Sequence, residues 1–169
     1  MVADGNCKVV GYRVFTLLCK ECCAKFAPST RGTALIFGQT NTDKEANKAL
    51  LQKETDSWRS GDIEAHAACW TLRPYSRIIV STQQGGAIDV PPEIMLKPPA
   101  AMVGQGGKAI LSNFNMSING DHAWVSHDEK SISKDGTANF SYEFRFLEKE
   151  AGEWKLVGQS IHPYIPKNQ

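Results

Sequence analysis

Very little in this sequence favours one sign of charge: 19 Lys and Arg stand against 18 Asp and Glu in a chain of 169 residues. No net field therefore draws the molecule to nucleic acid or to an anionic membrane surface, and no basic patch substitutes for one. Long hydrophobic runs are missing too. The longest apolar stretches, such as Val14–Cys19 and Ala34–Phe37, fall far short of the roughly 20 residues that cross a bilayer, so the mature chain is expected to be soluble. Cysteine is scarce wherever structural patterning is legible. Cys7, Cys19, Cys22 and Cys23 crowd the first 23 residues and Cys69 stands alone, which argues against a disulfide-built fold. The Cys19/Cys22 spacing matches half of a zinc site, but a structural zinc wants four ligands. Thiols without a metal role are the better reading.

Catalytic and cofactor motifs are equally sparse. The four histidines and the carboxylates show no H-x-H or H-E-x-x-H spacing and no Asp-rich loop, so no metal site is expected. Gly104-Gln-Gly-Gly107 lacks the Lys-Ser/Thr and the preceding strand of a phosphate loop. No nucleophile elbow appears, and no cofactor is expected. The length fits one ordinary domain.

Residues 1–41 differ in texture from the rest. Val9–Phe26 mixes apolar and basic residues without alternation, and Pro28–Gly32 is a breaker cluster. Ala34–Gln39 looks like the tail of a secretory leader, although Lys20, Glu21, Lys25 and Arg31 interrupt the apolar segment before it. We read 1–41 as an N-terminal extension and 42–169 as the domain. The protein is then cytoplasmic, or exported if the extension is a leader.

From Thr42 the pattern is regular. Thr42-Asp-Lys-Glu45 has the form of a capping box, so a helix is expected to start there. Leu51, Thr55 and Trp58 recur on one stripe with Leu50 beside it, leaving Lys44, Lys48, Lys53 and Glu54 to solvent. Gly61 ends this helix and Asp62 caps a second, short one whose buried face is Ile63, Ala67 and Trp70. Tyr75–Thr82 reads as a strand closed by a turn at Gln83–Gly86. The Pro91-Pro92 and Pro98-Pro99 pairs flank a loop or a proline-opened helical turn. Ala109–Ile118, His122–Ser133, Thr137–Glu148 and Trp154–His162 then form an antiparallel meander joined by turns rich in Gly, Asn and Asp. In its third strand Phe140, Tyr142, Phe144 and Phe146 share a face, which the helices are expected to cover.

Candidate pocket residues follow from this layout. His127 shares a strand face with Ala123, Val125 and Glu129, opposite Asp128, so the adjacent His and Asp do not form a catalytic pair. If that face is concave, His127 is a base or polar anchor. His162 lies at the end of the last strand on the face of Trp154 and Leu156. Trp58, Trp70, Tyr75 and Tyr142 have the aromatic surface to line a cavity, with core packing as the plainer alternative. Arg73 and Arg77 are either anion anchors or solvated surface residues. His66 and His122 read as solvent histidines, and Trp124 as an outward residue at a dimer contact.

The order of Leu51–Trp58, Ser60-Gly-Asp62, Trp70, Gly120-Asp-His-Ala-Trp-Val125 and Trp154–Val157 resembles the nuclear transport factor 2-like superfamily, in particular its SnoaL-like and ketosteroid-isomerase-like branch. The likeness covers roughly residues 42–165. It implies an α+β cone in which a curved, mainly antiparallel sheet wraps N-terminal helices and encloses a pocket, frequently as a homodimer across the sheet. The superfamily spans isomerases, dehydratases, cyclases and assembly modules, so fold alone assigns no activity. Ketosteroid isomerases carry a carboxylate base just after the second helix, whereas here no carboxylate lies between Glu64 and Asp89. The expectation is a protein that binds a small hydrophobic or aromatic ligand, with isomerase, dehydratase or cyclase chemistry through His127 or His162. The alternative is a non-catalytic dimerisation or protein-interaction module of the same fold.

Overall fold

The structure is a computed structural model that describes residues 31–166, with side chains described from residue 41 onward. Two helices, α1 (Arg31–Ser60) and α2 (Ile63–Ala67), precede six strands: β1 (Ile78–Ser81), β2 (Ala87–Val90), β3 (Lys108–Asn119), β4 (His122–Ile132), β5 (Ala138–Glu150) and β6 (Glu153–Tyr164). A single 3₁₀ turn, Pro92–Met95, follows β2 and opens on a proline at its first position. The strands form one open sheet in the order β2-β1-β6-β5-β4-β3. All neighbours are antiparallel except β1 and β6. Among the described residues no helix is long and apolar enough to span a membrane.

Register decides which side chains share the inner face. Opposite residues of an antiparallel pair point the same way, so Ala123, Val125, His127 and Glu129 of β4 lie beside Leu147, Arg145, Glu143 and Ser141 of β5. Leu51 of α1 packs with Val125, Leu147, Leu156, Ile78 and Cys69 in the core. Gly61, at φ +80°, turns the chain sharply from α1, and Asp62 accepts the Ala65 amide proton at 2.9 Å to start α2. A side chain at Gly61 would bring its Cβ to 3.1 Å from the Gly104 Cα, because the 104–107 loop docks on the end of α1 through Gly104 N–H to Trp58 O at 2.9 Å.

Several expectations need correction. Thr42 lies inside α1, which runs unbroken from Arg31; the capping-box pattern does not mark the start. The early cysteines other than Cys69, and most of the leader segment, lie outside the described residues. Glu54 is buried rather than solvated, since it stands three residues after Leu51 and four before Trp58, on the same stripe. In α2 the buried side chain is His66, not Ile63. With only five helical residues, that element carries no reliable periodic face. β2 was absent from the expected elements; its Ala-Ile-Asp-Val is short and sits at the sheet edge.

The largest correction concerns the aromatic row. Phe140, Tyr142, Phe144 and Phe146 do share a face, but it is the outer one: Tyr142 is 38% and Phe146 48% exposed. The intervening Glu143 and Arg145 face α1 instead. Alternation alone cannot distinguish the covered side when the charged members of the strand neutralise one another. Trp124 also lies on the outer face, its ring 6.0 Å from Phe144.

Shortening Leu51 to Ala, at a site with 0% exposure, is expected to cost about 2–5 kcal/mol, read as a lowered midpoint in urea denaturation. A loss below about 1 kcal/mol would mean that α1 does not hold the core together.

Candidate functional site

Between α1 and the inner face of the sheet lies a cavity of about 240 Å³. One side is apolar, built from Trp58, Ile78, Val80, Ile94, Met102 and Ile161. The other carries Glu54 and Arg59 from α1, Glu129 from β4, Glu143 and Arg145 from β5, and Gln159 from β6. Helical spacing and strand alternation bring these groups together from four separate elements. Arg145 and Gln159 are direct cross-strand partners.

Arg145 is the hub. Its guanidinium hydrogen-bonds Glu143 and Gln159, and Nη1 lies 3.5 Å from Glu54. Burial alone would push its pKa down, but Glu143, Glu54 and Glu129 outweigh it and hold the guanidinium firmly charged. Glu143 also accepts the Ser141 hydroxyl proton at 2.8 Å and stands 4.0 Å from His127 Nε2. Burial drives its carboxyl up, yet Arg145 and then His127 prevail and keep it below the ordinary carboxylate range. Arg59 donates to Glu129 at 2.9 Å and to the Ser131 hydroxyl at 2.7 Å. Glu129 shifts the other way: burial and the nearby Glu143 raise its pKa despite Arg145 and Arg59. Two neighbouring carboxyls are thus pushed apart, the pattern that assigns acid and base roles.

The six ligand candidates do not converge. Trp58 lines the cavity. His127 is fully buried on the inner face behind Glu143, with its ring 5.4 Å from Phe114, and does not reach the cavity wall. Trp70 sits in the core beside His66. Tyr75 is 61% exposed, bonded to Glu148, and Tyr142 lies on the outer face. His162 is also outside, between the hydroxyls of Ser81 and Ser160 at 2.8 Å each. The reason is a bulge: the pairing steps from Phe146↔Gly158 to Leu147↔Leu156, leaving Val157 unpaired. One extra residue reverses the faces beyond it, so Gln159 and Ile161 turn inward while His162 leaves the side of Trp154 and Leu156. His127 and His162 therefore occupy opposite faces.

Other charged candidates are already paired. Arg73 meets Glu148 at 3.2 Å and Glu150 at 3.3 Å, and Arg77 pairs with Asp89. Neither is a free anion anchor. His66 is buried against Trp58 at 4.9 Å, with Nδ1 at 3.3 Å from the Glu54 carbonyl, and is no solvent histidine. His122 is exposed beside Glu148. Among the described residues no trio of His, Cys, Asp or Glu is arranged to hold a metal ion.

Sequence reading passed over the polar residues that line the cavity: Glu54, Arg59, Glu129, Glu143, Arg145 and Gln159. A usable signal was present. Glu143 and Arg145 fall between aromatic residues at strand spacing, and Glu54 lies on the apolar stripe of α1.

No family model matches the sequence, and no curated protein does. Solved structures do. An NTF2-like protein with a cystatin-like fold from Novosphingobium aromaticivorans superposes at a TM-score of 0.61 with 14% identity, over 84% of this chain and 95% of that one. A protein proposed to be a dehydratase of the NTF2-like family, from Streptomyces avermitilis, gives 0.59 and 16% over 75% and 99%. A cystatin-like protein of unknown function from Nostoc punctiforme gives 0.57 and 16% over 73% and 92%. The chain thus has the NTF2-like, cystatin-like α+β fold.

Burial, with Arg145 next, pushes the His127 pKa down to about 4, below the ordinary value of roughly 6.5. Its folded pKa is depressed, so its contribution is complete above about pH 6.5 and fades toward pH 4, an interval equivalent to roughly 3 kcal/mol. Glu143 adds loss further into acid; Glu129, raised, works in the opposite sense. Urea midpoints are expected to fall from pH 7 to 5, and His127→Gln to flatten that slope. An unchanged slope in His127→Gln would contradict the assignment.

Proposed function

We propose that the chain is a SnoaL-like small-molecule-binding protein whose cavity takes a compact, largely apolar or aromatic ligand and holds the polar end of that ligand against Glu54, Glu129, Glu143 and Arg145. The observation that carries this reading is that the buried ion cluster lines the same cavity as a set of apolar and aromatic side chains. Charges removed from water cost several kcal/mol each, and apolar residues of similar volume generally stabilise a fold as well or better. A cluster kept for packing alone would not border open space. The volume, about 240 Å³, lies just under the usual 300–1,000 Å³ of ligand sites, which favours small ligands over steroid-sized ones.

Glu129 is the group suited to exchange a proton. It borders the cavity, its pKa is raised by burial and by Glu143, and one of its oxygens is held by Arg59. Isomerase, dehydratase and cyclase reactions each need a group placed to take up or release a proton at the ligand. His127, standing behind Glu143, would act by positioning that carboxylate rather than on the ligand. Trp58 supplies an aromatic wall.

A second reading, a dimerisation module, is favoured by one specific observation: the outward aromatic row. Phe146, Tyr142 and Ile110 are each more than a third exposed on the described surface, and exposed apolar patches of this kind mark association sites. The two readings are compatible in one molecule.

Small planar aromatic compounds at about 100 Kd are expected to stabilise the chain by roughly 2.7 kcal/mol, seen as a rise in Tm. Val80→Trp, which fills the cavity, should abolish the rise; equal binding by that variant would overturn the cavity reading. In analytical ultracentrifugation the unmodified chain is expected to sediment as a dimer at micromolar concentration and Phe146→Asp as a monomer. A monomeric unmodified chain would remove the second reading.

A further inference from the structure

Hydrogen-bond accounting at the polar end of the cavity is lopsided. Arg145 turns its Nη groups to Gln159 and Glu143, and Arg59 turns Nη2 to Glu129 and Ser131. The Nε–H groups of both arginines have no partner and are wholly buried, and Arg59 Nη1 makes no hydrogen bond among the described residues. The Gln159 amide nitrogen points to the Met95 sulfur at 3.9 Å.

Acceptors are in surplus. Glu54, only 5% exposed, lines the cavity, and among the described residues its carboxylate makes no hydrogen bond. Its oxygens lie 3.5 Å from Arg145 Nη1 and 3.7 Å from His66 Nδ1, longer than hydrogen-bonded contacts. Glu129 accepts from Arg59 at Oε1, and its Oε2 has no hydrogen-bond partner among the described residues.

Charge runs the same way. With all three carboxyls ionised, Glu54, Glu129 and Glu143 face two guanidiniums, Arg59 and Arg145, and one negative charge is uncompensated wherever the imidazoles are neutral, a surplus that the raised pKa of Glu129 reflects. His127, beside Glu143, is held neutral near pH 7 by burial and Arg145. His66 packs against Glu54 from α2. An unbalanced buried charge is costly unless a partner arrives.

We propose that the cavity is built for a cation: a compact apolar molecule bearing a protonated nitrogen, whose N–H groups donate to Glu129 Oε2 and the Glu54 carboxylate while its apolar body lies against Trp58, Ile78 and Ile161. This rests on the small-molecule reading above and adds the ligand's charge. A neutral isostere would leave the acceptors unpaired, and an anion would meet three carboxylates.

Calorimetric titration of the full chain at pH 8 and low salt, where ordinary imidazoles are neutral and alkylamines protonated, separates the possibilities. Three probes of matched shape are used: phenethylamine, phenethyl alcohol and hydrocinnamate. Phenethylamine is expected to bind at least ~10-fold tighter than the alcohol, about 1.4 kcal/mol, and hydrocinnamate not at all. Glu129→Gln should lower amine affinity at least ~5-fold, about 1 kcal/mol, and leave the alcohol almost unchanged. Alcohol binding equal to amine binding, preference for the acid, or an unchanged amine affinity in Glu129→Gln would each overturn the charge inference and leave the small-molecule reading standing. Failure of all three probes to bind would overturn both. The comparison of probes needs only the unmodified chain, so it decides the matter even if the variant does not fold.

Discussion

The buried guanidinium of Arg145 is the constraint around which the interior is organised. It lies where α1 crosses the sheet and draws groups from three elements: Glu54 from the helix, Glu143 from its own strand, and Gln159 from the next. No apolar side chain could have brought the helix and the two strands to the same point with comparable directional demand. Remove the guanidinium, and Glu54 and Glu143 become neighbouring buried carboxylates without a counter-charge, a state costing about 3–5 kcal/mol. The same cluster lines the cavity.

That arrangement also separates two carboxylates that would otherwise behave alike. Glu143, in contact with Arg145, is held ionised, whereas Glu129, with Arg59 as its direct partner and Glu143 as a like-charged neighbour, is pushed upward. The difference arises from placement, not residue type. It gives the cavity one fixed negative charge and one adjustable one, a combination suited to orienting a polar ligand and exchanging a proton with it.

The fold was far more legible than the site. Long strands with Gly-rich turns announce themselves, and β3 to β6 occupy nearly the expected residues. Asp62 as a cap was readable because its chemistry is local. The inner face was not, because hydrophobic alternation assumes that apolar side chains go in and charged ones out; in β5 the reverse holds around Glu143 and Arg145. His162 falls on the other face for another reason: a bulge at Leu156-Val-Gly-Gln159, signalled in sequence only by the isolated Gly158 within the strand, reverses every later side chain. Glu54 was misread although its position on the apolar stripe of α1 pointed inward.

The bulge at Val157 has a consequence for how such cavities diverge. On one side of it, β6 offers Gln159 and Ile161 to the interior; were the same residues paired in regular alternation with no bulge, Gly158, Ser160 and His162 would stand there instead. Closing the bulge by pairing Val157 would thus exchange an entire row of wall chemistry, amide and aliphatic for hydroxyl and imidazole, without changing a residue, whereas deleting Val157 would leave Gln159 and Ile161 facing inward. Within this architecture, the presence or position of one bulge along the last strand can re-specify a binding site, and pairwise sequence identity would barely register the change.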